Sequence, residues 1–218
     1  MNHHFITELN RLRQQLCDQG RVVEQAIRQA IQAFQTGDVT LAYCVMDNDA
    51  VIDQEEIRIE EECLKTLALY QPVARDLRTV ISCIKMNASL ERMADFAGHM
   101  AERAVHVASL SLDGNQEMFD FSPMEHLVLE QLQDTLKVIE TSDACLAYRI
   151  IERDDEVDAM RREHRAHARA ALASSPAFAE YFIDCIGLAR DLERIADLAI
   201  DICQQMVYLQ TGSIVRHA

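Results

Sequence analysis

The chain has 218 residues, 49% of them hydrophobic, with only 6 Gly, 3 Pro and no Trp, and a formal charge of -15. That is apolar matter for one large core or two domains of about 100 residues each, and the scarcity of turn residues predicts an all-helical fold. The acid excess opposes the basic face that nucleic acid requires. The opening "MNHHFITELNRLRQQL" lacks the pattern of an export signal, and no apolar run of about 18 residues is present, so the chain is expected to be cytoplasmic.

In chain order, an amphipathic run from about Ile6 to Phe34 is closed by Gly37, and Asp38 caps a second helix running to about Leu69. Pro72 opens a third that reaches about Ser109. The stretch "LSLDGNQEMFDFSP", residues 110–123, carries the Gly and Pro of a connection. Three further runs follow, at about Met124 to Glu140, Asp143 to Ala173 and Pro176 to Leu209. The seven cysteines form no C-x-x-C pair and sit mostly among apolar neighbours, which reads as buried free thiols.

The second set of three repeats the first. "DVTLAYCVMDNDAVID" (38–53) matches "DACLAYRIIERDDEVD" (143–158) at an offset of 105, with Asp38/Asp143, Leu41/Leu146, Ala42/Ala147, Tyr43/Tyr148, Asp49/Asp154 and Asp53/Asp158 identical. Pro72 then aligns with Pro176, and Leu90-Glu91-Arg92 with Leu192-Glu193-Arg194, at an offset of 102. A tandem duplication explains the preserved order. The expected architecture is two tandem three-helix bundles: residues 1–110, a connecting segment 111–123, and residues 124–218.

The third helices pose the functional question. In "SLERMADFAGHM" (89–100), Glu91 and Asp95 stand one turn apart, a like-charge spacing that costs an isolated helix roughly 0.2 to 0.5 kcal/mol. "DLERIADLAIDI" (191–202) repeats it with Glu193 and Asp197. With His99 and Asp201, each helix carries three potential ligands at i, i+4 and i+8 within an arc of about 80°. The second helices offer matching stripes: Asp49, Asp53, Glu56 and Glu60, with Asp154 and Asp158 as counterparts of the first two. Residues 47–62 hold eight acids and one cation, Arg58. Facing carboxylate stripes suit hard or borderline divalent ions such as Mg, Mn or Fe, and His99 would add a nitrogen ligand. The competing reading is plain surface ion pairing, with Arg92, Arg190 and Arg194 each three residues from an acid.

On these residues the chain resembles the PhoU family of phosphate-specific transport accessory proteins. "QPVARDLRTVISCIKMNASLERMADFAGHMAE" (71–102) is similar to the family's first-repeat signature, "ARDLERIADLAIDI" (189–202) to its second, and "YLQTGSIVRH" (208–217) to its usual ending. The resemblance implies two similar three-helix bundles with E/D-x-x-x-D motifs that bind metal: Glu91 with Asp95 and Glu193 with Asp197. His99 and Asp201 stand where the family often has Asn, and Ala94 and Ala196 replace its usual Gly. It also implies a non-enzymatic negative regulator that links a phosphate ABC transporter ATPase to a sensor histidine kinase when phosphate is plentiful. Such a protein would be a homodimer, would bind Fe, Mn, Mg or Zn, and would sit at the inner face of the cell membrane only through its partners. The alternative is a carboxylate-bridged metalloenzyme, although no Glu-x-x-His motif of di-iron bundles is present. Phosphate sensing by His164 and His167 in "RREHRAHAR" (161–169) is a third reading, set against that of a solvated helix face.

Overall fold

The computed structural model describes residues 3–110 and 119–213, the side chain of Asp154 excepted. Most of the connecting segment, residues 111–118, and the ending 214–218 lie outside that range. Helix α1 spans His3–Thr36, α2 Val39–Tyr70 and α3 Ala74–Ser109; in the second half α4 spans Ser122–Thr141, α5 Ala144–Ile151, α6 Asp154–Ser174 and α7 Ala179–Thr211. No strand is present among the described residues.

Local chemistry explains the boundaries. Gly37 takes φ of 67°, a left-handed turn open to Gly, and closes α1. Asp38 accepts from the Leu41 N–H at 3.0 Å, while Asp143 accepts from Cys145 and Leu146, so the two matched aspartates cap matched helices. Two further identities behave alike. Ala42 and Ala147 are fully buried, and Tyr43 and Tyr148 are both exposed.

The second half departs from the predicted unbroken helix over Asp143 to Ala173. It turns at Glu152 and Arg153 and restarts as α6. Asp155 and Glu156 stand at the new N-terminus, where negative charge is favoured, and the Arg153 guanidinium reaches Glu156 at 3.2 Å and Glu130 of α4 at 3.5 Å. Pro176 likewise begins a short 3-10 turn, Pro176–Phe178, ahead of α7.

The halves are not separate bodies. One continuous hydrophobic core runs through both, with α3 against α7 and α1 against α4. Gly20 permits the second contact: a Cβ there would lie 2.3 Å from Leu136 Cδ2. Gly187 permits the first, leaving a notch in α7 for Arg103 of α3, whose guanidinium carbon would be 2.5 Å from an added Cβ. Arg103 Nε meets Asp191 at 3.1 Å, and its Nη1 lies 3.7 Å from Asp184. Asp191 and Asp184 are 1% and 6% exposed, so Arg103 supplies the charge that their burial requires. His106 Nδ1 adds a contact to Asp184 at 2.6 Å.

Five cysteines are buried and all seven are free. Burial pushes the thiols of Cys63, Cys83 and Cys185 up to about 12 and that of Cys203 to about 11, which suits packing rather than reactivity.

Candidate metal-binding faces

In the first half α2 and α3 pack side by side and bring their acids to one seam. The acids are not on open surface: Asp49, Glu91 and Asp95 are half-buried, while Asp53 and His99 are exposed. Burial and then repulsion from Asp95, Asp53, Glu56 and Asp49 push the Glu91 carboxyl up to about 7. Asp95 is raised by burial and by Asp53, and Asp49 by burial and by Asp53 and Asp95; His99 relieves both. Glu56 is raised by burial, Glu60 and Asp53. Burial leads in each case, and the added repulsion crosses the helix pair for Asp49, Glu91 and Asp95 but comes from α2 alone for Glu56.

The packing beneath holds the stripe in place. Asn87, fully buried one turn before Glu91, donates its amide to the Glu56 carbonyl at 2.8 Å and leaves its own Oδ1 without a partner. Asp49 Oδ1 is also buried and unpartnered. Ala94 is buried behind the motif, as Ala196 is in the second half, where its carbonyl accepts from Gln131 at 3.2 Å. The methyls that replace glycine therefore face the packed side, away from the carboxylates.

The second half uses the same positions differently. Glu193 is 8% exposed, and Arg161 of α6 lies 3.6 Å from it and 3.8 Å from Asp158. Arg194 pairs with Asp197 at 3.2 Å and approaches Glu193 at 3.8 Å, while Arg190 turns to Asp191 at 3.6 Å. Asp201 is half-buried one turn further on. Asp154 opens α6, and its side chain lies outside the described residues. In the second half Asp158, Glu193 and Asp197 thus have arginine neighbours, although Glu193 Oε2 and Arg161 Nε make no hydrogen bond; in the first, Arg92 only partly offsets the raised pKa of Asp95 and makes no ion pair with it.

The decisive residue, Arg161, escapes inspection of the acids alone. Its signal is in the repeat: at the offset of 105 that pairs Asp53 with Asp158, Glu56 pairs with Arg161 and Glu60 with Arg165. The duplication kept the aspartates and reversed the charges beside them.

A cation fits the first half. Its donors are oxygen-rich, mutually repelling and partly unpartnered, the chemistry that divalent ions satisfy. Among the described residues no three His, Cys, Asp or Glu side chains are already gathered for a single ion, so binding there would draw carboxylates together. In the second half a metal would first have to displace Arg161 or Arg194.

The basic run of α6 is not simply solvated. His164 stacks on Phe121, with centroids 4.8 Å apart and planes 15° apart, and its Nδ1 lies 2.9 Å from the Met160 carbonyl. His167 lies 4.6 Å from the Phe119 ring. Both imidazoles help to close the end of the connecting segment onto α6.

Among the described residues no helix is long and apolar enough to cross a membrane. The PhoU domain matches the chain twice, over residues 16–104 and 121–206. The chain is 33% identical to the phosphate-specific transport system accessory protein PhoU homolog of Aquifex aeolicus, covering 96% of this chain and 94% of that one. It is 32% identical to the corresponding protein of Pseudomonas aeruginosa, across 100% and 91%. The crystal structure of the phosphate transport system regulatory protein PhoU from Streptococcus pneumoniae superposes with a TM-score of 0.89 at 29% identity, covering 97% and 99%.

Proposed function

The chain belongs to the PhoU family, a family of accessory regulators rather than enzymes, and on that footing we propose that it regulates phosphate transport and the response to phosphate starvation. The observation that carries this reading is likeness over essentially the whole chain, both repeats included, to accessory proteins of phosphate-specific transport systems. In this reading the protein is an adaptor between a phosphate ABC transporter ATPase and a sensor histidine kinase, held at the inner face of the membrane by those partners. It restrains signalling when phosphate is plentiful.

The surface supports a docking role. Of eleven large apolar side chains exposed among the described residues, nine are in the first half, among them Tyr43, Val51, Ile57 and Leu64 on α2 and Leu77 and Ile81 on α3. A homodimer would use the same chemistry.

The metal site belongs to the first half in this proposal. Glu91, Asp95, Asp49 and Asp53 would hold one or more ions of Fe, Mn, Mg or Zn, with His99 favouring a transition metal. Bound there, a cation neutralises the repulsion between α2 and α3.

The test is affinity purification of the tagged protein from phosphate-replete cells after mild membrane solubilisation, with mass spectrometry of what is recovered. A transporter ATPase or sensor kinase is expected. Recovery of neither, from cells shown to contain both, overturns the adaptor reading.

A further inference from the structure

The first-repeat signature contains a segment that the acidic faces do not use: Pro72-Val73-Ala74-Arg75-Asp76-Leu77-Arg78, at the start of α3. Its first arginine, Arg75, borders a cleft at the junction of the halves, of about 390 Å³, where α1, α3 and α7 meet the turn between α4 and α5. Arg13, Arg75, Thr79, Ser142 and Gln210 line it with two apolar residues of α7, and no carboxylate of the described residues is among them. By contrast, the cleft beside Arg149 and Arg153 also contains Glu130 and Asp134. Asp76, next to Arg75, lines a different cleft with Phe5 and Leu69.

These cations make no ion pair among the described residues: neither Arg13, Arg75 nor Arg78 has a carboxylate there within ion-pair distance, although the chain carries 36 acids against 21 Lys and Arg. Arg78, one turn after Arg75, lies over the Tyr208 ring at 5.9 Å, and its buried Nε has no hydrogen-bond partner. The wall opposite is fixed: Gln210 donates its amide to the Ser142 carbonyl, tying the end of α7 to the α4–α5 turn. Thr79 donates to the Arg75 carbonyl at 3.1 Å, which secures the first turns of α3. Two arginines on one cleft, Arg13 half-buried within α1 and Arg75 exposed in the first turn of α3, suit a tetrahedral oxyanion that accepts forked hydrogen bonds. The chain's charge of -15 opposes an extended polyanion, whereas a small anion meets only the local field.

We propose that this cleft binds a phosphate group, as inorganic phosphate or as a small phosphate monoester, with Arg13 and Arg75 as its principal ligands. The site goes beyond the adaptor reading and does not depend on it: it would give the protein a direct input from the anion, measurable without any partner. It is also confined to one half. At the offset of 104 that aligns Pro72 with Pro176, Arg75 and Arg78 correspond to Ala179 and Phe182.

The test is calorimetric titration of the full chain with inorganic phosphate and, separately, with glycerol phosphate, in a chelator so that no metal can bridge the anion to the acidic seam. Saturable binding is expected, weakened roughly tenfold or more by R13A or R75A, lost in R75E, and unchanged by R162A in α6. Tighter binding of glycerol phosphate would support the cleft and assign it to an ester; tighter binding of inorganic phosphate would assign it to the free ion. Circular dichroism checks that the variants fold. No saturable binding of either probe at millimolar concentration overturns the proposal, as does binding that survives R75E or falls equally in R162A.

Discussion

The two halves repeat one helix plan, interrupted once in the second, and balance the acids at its seams differently. Between α2 and α3, Glu56 and Glu60 join Asp49, Asp53, Glu91 and Asp95 in a set of mutually repelling acids. Between α6 and α7, Arg161 stands where Glu56 does and lies against Glu193. A helix pair tolerates half-buried carboxylates either by recruiting a cation from solution or by carrying one in the chain. The first solution can respond to its surroundings, and the second is permanent.

The largest effect should follow from erasing that difference. R161E removes the partner of nearly buried Glu193 and adds a like charge, so the metal-free protein should lose about 2 to 4 kcal/mol in urea denaturation while gaining a second equivalent of Mn by elemental analysis. Unchanged stability would mean that Arg161 does not compensate Glu193. Next, E91A with D95A should weaken divalent-metal affinity by roughly a hundredfold and leave the fold intact, whereas E193A with D197A should leave the stoichiometry as it was. Equal losses from the two pairs would restore a symmetric pair of metal faces.

A smaller effect is expected from E56R, which writes the second half's solution into the first. The variant should gain about 1 kcal/mol in the absence of metal at pH 8 and lose its stabilisation by added Mn. The smallest is a slope. The Glu91 pKa of about 7 in the folded chain lies above the ordinary value of 4.5, so the fold favours the protonated acid. Its contribution is therefore fully present below about pH 4.5 and is lost as pH rises through about 7. Thermal melts of metal-free protein should show a falling Tm between pH 5 and 8, flattened in E91Q. Added metal should reverse the trend at the upper end, where the carboxylate is free of its proton.

Much of the fold was legible because its signals are local. Asp38 and Asp143 as caps, Gly37 as a terminator and the burial of Ala42 and Ala147 are each set within a turn or two of chain. The break at Glu152 was not legible, since neither Gly nor Pro marks it. Arg153 there lies 3.5 Å from Glu130 of another helix, a contact that the local sequence does not announce. The acidic residues were legible as stripes, because helical spacing fixes which side chains share a face. What stands opposite a stripe belongs to a neighbouring helix, so the unlike fates of Glu91 and Glu193 required either the packing or the Glu56/Arg161 alignment. Periodicity could not reveal Arg13 and Arg75 as neighbours for the same reason. They lie on different helices, some sixty residues apart.

The Arg103 joint bears on the history of the gene. At the offset of 102, Arg103 corresponds to Gln205, Asp191 to Ser89, Asp184 to Ser82 and Gly187 to Lys85. Neither half now carries both sides of the lock. A recombinant made from two copies of the first half would present Arg103 with two serines, and with a lysine in place of its notch, while two copies of the second would bury aspartates with no arginine. What began as duplication has become complementarity, and the copies can no longer be exchanged for one another.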